Sequence, residues 1–242
     1  MTLEGLTQLD FLNGIFSLLF ILVAIVIGIK LISVYFKYQK IEMVTVGLTW
    51  IFLSSAWWGI VILFLGYVLF DYRIGTVPYL IIGNIFVPVA LVCWIYSFSS
   101  MTYPEYKKKI VLIYSIISIV YEIFLIILLI IDYRLIGYFE TEFYLVSEIY
   151  PTIYQLFAVV TAIVTGIIFT KKALESEDEE IRWKGRFLLT AFITFTIAAF
   201  AEAIILLTPL LLVIMRIILI FSTFAYYLGF FLPKFVSKWL IS

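Results

Sequence analysis

The chain contains no histidine and a single cysteine, Cys93, among its 242 residues. The absence of histidine excludes imidazole-based catalytic triads, histidine metal ligands and histidine proton shuttles. A single cysteine excludes an intrachain disulfide and any metal site built from several cysteines. We expect Cys93 to pack inside a helix. These absences remove the commonest catalytic and metal-binding chemistries.

Charge is scarce as well, because only 13% of the residues are Asp, Glu, Lys or Arg and the formal net charge is zero. A neutral chain gives no indication of a nucleic-acid partner. Hydrophobic residues make up 65% of the chain, and the mean hydropathy is +1.18. A soluble domain could not cover that much apolar surface with polar atoms. We therefore expect a multi-pass protein integral to the cell membrane, with the lipid bilayer as its surroundings.

Long apolar stretches account for most of the sequence, and each has roughly the 20 residues that a helix needs to cross a hydrocarbon core. We predict spanning helices over 11–36, 44–70, 77–99, 109–131, 150–170, 187–207 and 210–232. The predicted fold is an all-α membrane protein, with residues 1–242 forming a single seven-transmembrane-helix bundle.

The polar segments between the predicted helices alternate in their basic content. Lysine and arginine concentrate in the first, third and fifth loops and in the tail: Lys37, Lys40, Lys107, Lys108, Lys109, Lys171, Lys172, Arg182, Lys184, Arg186, Lys234 and Lys238. The intervening loops hold only Arg73 and Arg134 and are otherwise acidic. The positive-inside rule then places the N-terminus outside and the C-terminus inside. The basic inner loops are a candidate surface for a cytoplasmic partner, and we expect the acidic run 175–180 to be a solvated loop.

The two halves of the chain resemble each other. The segment 24–29 (AIVIGI) nearly repeats at 162–167 (AIVTGI), and the same offset pairs Gly47 with Gly185. Residues 11–104 and 150–237 are therefore candidate repeats, with the helix 109–131 as a linker. Chance similarity between apolar segments of low diversity is the alternative. A true duplication would give parallel repeats, because both halves cross the membrane in the same direction.

This seven-span layout of three, one and three helices with the N-terminus outside resembles a broad group of membrane proteins. The group includes microbial rhodopsins, PQ-loop transporters and G-protein-coupled receptors. The resemblance covers the whole chain as architecture. The sequence lacks the diagnostic motifs of these families: there is no Pro-Gln pair at the repeat position and no Asp-Arg-Tyr or Asn-Pro-x-x-Tyr motif. The seventh span carries Arg216 where a retinal protein needs a Schiff-base lysine. Guanidinium cannot form that linkage, so we expect no cofactor.

Three charged residues lie well inside the predicted spans: Glu122, Glu202 and Arg216. At the bilayer centre each would cost roughly 2.5–3.5 kcal/mol on insertion scales, which usually means pairing or a hydrated cavity. Glu202 and Arg216 lie at similar distances on either side of the turn near Thr208-Pro209. We therefore predict that they form an ion pair.

Further polar residues are expected at similar depths. Ser118, Tyr121 and Glu122 share one stripe of the fourth span at helical spacing. Asn84 and Gln155 fall in the outer halves of their spans. Because lipid offers no hydrogen bonds, such side chains should face the bundle interior. The sequence predicts a polar pocket in the outer half, with Glu122 as the candidate for ligand binding or proton coupling. The alternative is that these groups only hold helices together.

The layout of polar groups favours a non-enzymatic protein that binds a small molecule or lipid in this pocket, in the manner of a receptor or sensor. A small-solute or proton-coupled transporter is the alternative, motivated by the possible repeats and by Glu122. A structural or accessory membrane subunit is a second alternative. We expect no enzymatic activity, because no predicted span contains an aspartate and no acids are paired at catalytic spacing.

Overall fold

The computed structural model describes residues 6–204 and 208–240. Within them, seven helical segments are long and apolar enough to cross a membrane, which supports the predicted multi-pass helical bundle. We number these spans in chain order: Gln8–Tyr38, Ile41–Phe70, Thr76–Thr102, Lys107–Leu135, Ile149–Leu174, Glu179–Ile204 and Leu210–Phe230. The ends predicted to face outward are called outer ends below.

The first three spans are each interrupted. Span 1 comprises the helices Gln8–Ser33 and Tyr35–Tyr38, span 2 the helices Ile41–Leu53 and Trp58–Phe70, and span 3 the helices Thr76–Asn84 and Phe86–Thr102. A 3₁₀ turn, Ser54–Trp57, joins the two parts of span 2. The remaining helices are Lys107–Asp132 with a following 3₁₀ turn Tyr133–Leu135, Ile149–Leu174, Glu179–Ile204, Pro209–Phe230 and Lys234–Leu240.

The interruption of span 3 lies at Ile85, three residues before Pro88. Proline has no backbone N–H, so the helical hydrogen bond from residue 88 to the carbonyl of Asn84 cannot form. The Asn84 side chain turns back along the helix and donates to the carbonyl of Leu80 at 2.8 Å. A proline that removes one rung of the hydrogen-bond ladder explains a helix break at this position.

Span 6 begins earlier than its apolar pattern predicts, at Glu179 rather than at residue 187. The carboxylate of Asp178 accepts from the backbone N–H of Glu180 at 2.8 Å, as a helix cap does. Acidic side chains are also favoured in a first helical turn by the helix dipole. The end of the acidic run 175–180 is therefore a helix start, and the prediction of a loop was wrong there.

A two-stranded sheet between spans 4 and 5 departs from the all-α prediction. The strands β1 (Gly137–Phe139) and β2 (Leu145–Ser147) pair antiparallel. The hairpin packs on the outer ends of spans 2 and 3, where the Phe139 ring lies 5.1 Å from that of Tyr79 and the Phe143 ring lies 5.1 Å from that of Tyr67. Strands of three residues are too short to give a periodic pattern, so the sequence did not reveal them.

An exposed ion pair between Arg73 and Glu142 ties this hairpin to the loop between spans 2 and 3. The Arg73 guanidinium holds the pKa of the Glu142 carboxyl below its usual value, and the same contact raises the pKa of Arg73. A lowered folded pKa contributes stability that is present above the unfolded value, about 4.3, and is lost as the pH falls through the folded value. We expect amide protection in residues 137–147 to fall over that acidic range.

Hydrogen exchange, corrected for the intrinsic pH dependence of amide exchange, measures this effect at low ionic strength, where surface pairs are least screened. Glu142→Gln should show the weakened protection already at neutral pH. Glu140→Gln changes an exposed neighbour on the same hairpin and serves as the control. Equal protection in the wild type and Glu142→Gln across the whole pH range would show that the pair does not anchor the hairpin.

The spans pack as a ring. Span 1 packs against spans 2 and 7, span 3 against spans 2 and 5, and span 6 lies between spans 5 and 7. Span 4 packs mainly on span 3, and only 17% of its most apolar stretch is buried. Span 4 therefore lies at the periphery of the bundle and presents most of its surface to lipid.

Glycines bring neighbouring spans together at positions that the candidate repeats share. A Cβ atom at Gly47 would lie 2.5 Å from the carbonyl oxygen of Gly28, so spans 1 and 2 touch backbone to backbone. Gly166 and Gly185 both lie between spans 5 and 6, where a Cβ at Gly166 would lie 2.5 Å from the Phe192 ring. Matched glycines thus occupy matched interfaces, which favours duplication, although the repeat stays a prediction.

Candidate functional site

Arg216 on span 7 is the centre of a first polar cluster. Its Nη1 forms an ion pair with Glu202 of span 6, as the sequence predicts. Its Nη2 donates to the Asn13 side-chain oxygen and its Nε to the Ser17 hydroxyl, both at 2.9 Å. The Arg216 side chain is only 2% exposed. Span 1 therefore supplies two of the three hydrogen-bond partners that keep this guanidinium inside the bundle.

Span 2 completes the cluster through Trp57, the last residue of its 3₁₀ turn. The indole Nε1 of Trp57 donates to the second carboxylate oxygen of Glu202 at 2.8 Å. The guanidinium carbon of Arg216 lies 5.4 Å from the centre of the Trp57 ring, which is a cation–π distance. We call this group the Arg216 cluster; it consists of Asn13, Ser17, Trp57, Glu202 and Arg216.

Every charged atom of the Arg216 cluster thus has a partner from the protein. A buried ion pair is tolerated when hydrogen bonds satisfy its remaining donors and acceptors. Groups satisfied in this way have little capacity left for a ligand. We interpret the Arg216 cluster as a structural junction of spans 1, 2, 6 and 7.

The sequence did not identify the uncharged members of this cluster as a set. Asn13 and Ser17 are four residues apart and therefore share one helix face, and the Ser17 hydroxyl also donates to Asn13 at 3.2 Å. That spacing of two polar residues in an apolar span was the available signal. Trp57 could not be assigned to the cluster from the sequence, because an indole in an apolar span does not identify its acceptor.

A second polar cluster joins spans 3, 4 and 5. The side-chain oxygen of Asn84 accepts from the Tyr121 hydroxyl at 3.3 Å and from the Gln155 amide at 3.4 Å. Asn84 is buried at the point where span 3 is interrupted. The structure therefore brings together three of the predicted site residues, each from a different span.

Stacked tyrosines hold spans 4 and 5 together in this cluster. The ring of Tyr121 lies 3.9 Å from that of Tyr154 and 5.2 Å from that of Tyr150. The hydroxyls of Tyr154 and Ser118 are 2.9 Å apart, and Tyr150 donates to the backbone carbonyl of Tyr121 at 2.8 Å. The sequence analysis missed Tyr150 and Tyr154, whose spacing of four residues at the start of span 5 was the available signal.

Glu122 belongs to this second group by position, next to Tyr121 on span 4. Both of its carboxylate oxygens are buried, and neither has a hydrogen-bond partner among the residues that the structure describes. We call the group the Glu122 cluster; it consists of Asn84, Ser118, Tyr121, Glu122, Tyr150, Tyr154 and Gln155.

The three charged residues inside the predicted spans do not form one group. Within residues 6–204 and 208–240, no ion pair links Glu122 to Arg216. Span 4, which carries Glu122, packs mainly on span 3, whereas the ion pair lies on spans 6 and 7. Arg216 satisfies its remaining donors on span 1 instead. The predicted site residues therefore divide into two clusters with different partners.

A small cavity of about 30 Å³ lies elsewhere, in the aromatic centre of the bundle. Its walls are mainly apolar and include Trp50, Trp94, Phe192, Phe195 and Tyr226. A space of this size holds about one water molecule. This cavity is not the polar pocket that the sequence predicts.

In the part of the chain that the structure describes, no three His, Cys, Asp or Glu side chains come together as a metal site requires. The two polar clusters within the spans contain one ion pair whose atoms all have partners and one carboxyl, Glu122, that has no hydrogen-bond partner among the described residues. Comparisons with protein-family models, with curated proteins and with solved structures found no match for this chain.

Proposed function

We propose that this chain is a non-enzymatic protein of the cell membrane that binds a small molecule or lipid at the Glu122 cluster and acts as a receptor or sensor. In the predicted orientation the cluster lies in the outer half of the bilayer. The observation that carries the proposal is the Glu122 carboxyl, which is buried without a hydrogen-bond partner among the described residues.

Placing a carboxyl in a membrane span costs free energy, and such residues usually mark a ligand, ion or proton site. For Glu202 this free-energy cost is offset, because Arg216 and Trp57 form hydrogen bonds to its two carboxylate oxygens. Glu122 has no such compensation in its described surroundings. A ligand that presents an ammonium or another hydrogen-bond donor would supply the missing partner.

The remainder of the Glu122 cluster is suited to hold a ligand in one orientation. Asn84 and Gln155 contribute amides that can donate and accept, and the tyrosine rings form a rigid wall. A few fixed polar groups within an otherwise apolar surface are typical of small-molecule sites. The site is assembled from three spans, so a ligand there would change how span 4 packs.

Span 4 connects the Glu122 cluster to the inner end of the bundle and is therefore the element that would transmit a ligand-induced shift. At its inner end the Lys107 ammonium donates to the Ser100 hydroxyl at 3.1 Å, and that hydroxyl donates to Glu42 at 2.5 Å. The inner end of span 4 is thereby linked to spans 2 and 3. Because span 4 is the least buried span, it is the one most easily displaced. A shift caused at Glu122 would reach this junction, beside the basic segment proposed to meet a cytoplasmic partner.

The alternative function is a small-solute or proton-coupled transporter. The matched glycines of the two halves favour it, because transporters are often built from repeats. Glu122 would then carry the coupled proton. The second alternative, an accessory subunit, is favoured by the exposed apolar surface of span 4, which would pack on a partner's helix.

We predict that Glu122→Gln abolishes ligand binding without destabilising the fold. The amide is nearly isosteric and cannot ionise, so the free energy of unfolding should stay the same or rise by about 1 kcal/mol. Mass spectrometry of small molecules and lipids that co-purify with the protein, compared between the wild type and Glu122→Gln, measures binding directly.

Glu202→Gln is the matched control, since it changes a carboxyl in the Arg216 cluster and should lower stability instead. A set of bound molecules unchanged by Glu122→Gln would contradict the receptor proposal. Proton uptake into liposomes by the wild type, abolished by Glu122→Gln, would favour the transporter in its place. Loss of stability in Glu122→Gln equal to that of the control would assign Glu122 a structural role.

A further inference from the structure

An open cavity of about 510 Å³ lies at the outer end of the bundle, apart from both polar clusters. It is formed where span 4 ends, the hairpin begins and span 5 starts. Its lining residues are Thr76, Tyr133, Arg134, Tyr138, Phe139 and Glu148. Binding sites for small molecules commonly have volumes of about 300–1,000 Å³, so the cavity is large enough for a small organic ligand.

The cavity is lined by one positively charged residue, Arg134, and one negatively charged residue, Glu148. Within residues 6–204 and 208–240, the side chains of Arg134 and Glu148 have neither an ion-pair nor a hydrogen-bond partner. Elsewhere on the same outer surface, Arg73 and Glu142 do pair. Both charges are therefore available to a ligand that enters this cavity.

Hydrogen bonds hold the main chain at both of these residues. Arg134 lies in a 3₁₀ turn whose N-terminal cap, Asp132, accepts from the Arg134 N–H at 2.9 Å. The Glu148 N–H donates to the carbonyl of Ile136 at 2.9 Å, and the Glu148 carbonyl accepts from the Thr152 hydroxyl at 2.8 Å. A main chain held in this way lowers the ordering cost of binding a ligand that carries the complementary charges.

Aromatic residues form half of the cavity lining. Tyr133, Tyr138 and Phe139 line the cavity, and Phe139 is held edge-on against Tyr79. Aromatic faces attract cations, above all ammonium groups that carry alkyl substituents. The walls therefore add to the attraction of Glu148 for a positively charged group.

We propose that this outer cavity binds a small zwitterion, with its carboxylate or phosphate on Arg134 and its ammonium on Glu148. Guanidinium recognises both anionic groups through paired hydrogen bonds. The ligand is either a free solute or the headgroup of a zwitterionic lipid, because the two share this chemistry. The inference does not depend on the role proposed for Glu122, and its test uses different variants.

The first arm of the test uses soluble probes. Glycine, γ-aminobutyrate and glycerophosphocholine, which differ in the separation of their charges, are titrated by calorimetry into the full chain in phosphatidylglycerol nanodiscs. We expect at least one probe to bind the wild type, and Arg134→Gln and Glu148→Gln each to weaken it at least about tenfold. Glu140→Gln, a change at an exposed hairpin residue outside the cavity lining, should leave binding unchanged.

The second arm tests a lipid as the source. Native mass spectrometry compares the phosphatidylethanolamine retained by the wild type and by the same variants, with phosphatidylglycerol as the competitor. Preferential retention that is lost in Arg134→Gln and Glu148→Gln supports the proposal with a headgroup as ligand. Unchanged thermal unfolding of the unliganded variants shows that the cavity remains folded, as expected for residues with no side-chain partner among the described ones.

Two results would overturn the proposal. The first is the absence of binding by all three soluble probes together with no preference for phosphatidylethanolamine. The second is binding of inorganic phosphate that is as tight as that of the zwitterions and unaffected by Glu148→Gln, because the cavity would then be a simple anion site. Exchanging the two charges with Arg134→Glu and Glu148→Arg in one chain should restore part of the binding that either change alone removes.

Discussion

Replacing Arg216 by methionine is expected to lower the free energy of unfolding by about 3–5 kcal/mol, the usual result of removing one partner from a buried ion pair. The change leaves the Glu202 carboxylate in the bundle with Trp57 as its remaining hydrogen-bond donor among the described residues, and it removes the guanidinium hydrogen bonds to Asn13 and Ser17. An ordinary hydrogen bond between membrane helices contributes only about 0.6 kcal/mol. The size of the effect therefore distinguishes a charged cluster from routine polar packing.

A double variant isolates the source of this loss. Arg216→Met combined with Glu202→Leu removes both charges, so no uncompensated carboxylate remains, and most of the stability should return. Arg216→Lys keeps the charge but cannot donate to three partners in the plane of a guanidinium, so it should fall between the wild type and the methionine variant. Denaturant titration in lipid nanodiscs or mild detergent measures all four chains. Single variants that lose less than about 1 kcal/mol would contradict the assignment of Arg216 as a structural junction.

The sequence predicted the bundle well because lipid imposes a simple constraint. Each span must be long, apolar and helical to satisfy its backbone, and such a pattern is visible in every one of the seven segments. The same constraint predicted that Glu202 and Arg216 would meet, since each lies the same short distance from one turn. The break near Pro88 has a local cause in the sequence, because proline removes a backbone donor from any helix that contains it.

The features that the sequence did not reveal are contacts between spans, and these depend on which spans pack against each other. Asn13 meets Arg216 only because spans 1 and 7 pack together to close the ring, and nothing local in either span specifies that contact. Glu122 was expected beside Arg216 because both share a depth. Depth in a bilayer fixes one coordinate only, and the lateral position of span 4 depends on its packing against span 3. The outer cavity likewise requires the hairpin, whose strands were too short to predict.

The close contact of spans 1 and 2 gives the second large expected effect. Gly47→Ala should destabilise the bundle by about 1–3 kcal/mol, as overpacking of a tight interface does. The added methyl group would lie 2.5 Å from the carbonyl oxygen of Gly28 and 2.6 Å from the Ile32 side chain. A backbone oxygen cannot rotate away, so the two helices must separate. Gly28→Ala meets the Gly47 carbonyl at 2.8 Å and should act in the same direction.

Gly83→Ala is the matched control, because this glycine is also helical and buried, yet a Cβ there would approach nothing closer than 3.9 Å. Alanine is the better helix former, so Gly83→Ala should be neutral or stabilising by about 0.5–1 kcal/mol. Thermal unfolding in one detergent compares the three variants with the wild type. A Gly47→Ala chain as stable as Gly83→Ala would mean that spans 1 and 2 do not touch through their backbones. Gly185 aligns with Gly47 in the candidate repeats. The close packing of spans 5 and 6 around Gly185 would then need to be tested in the same way.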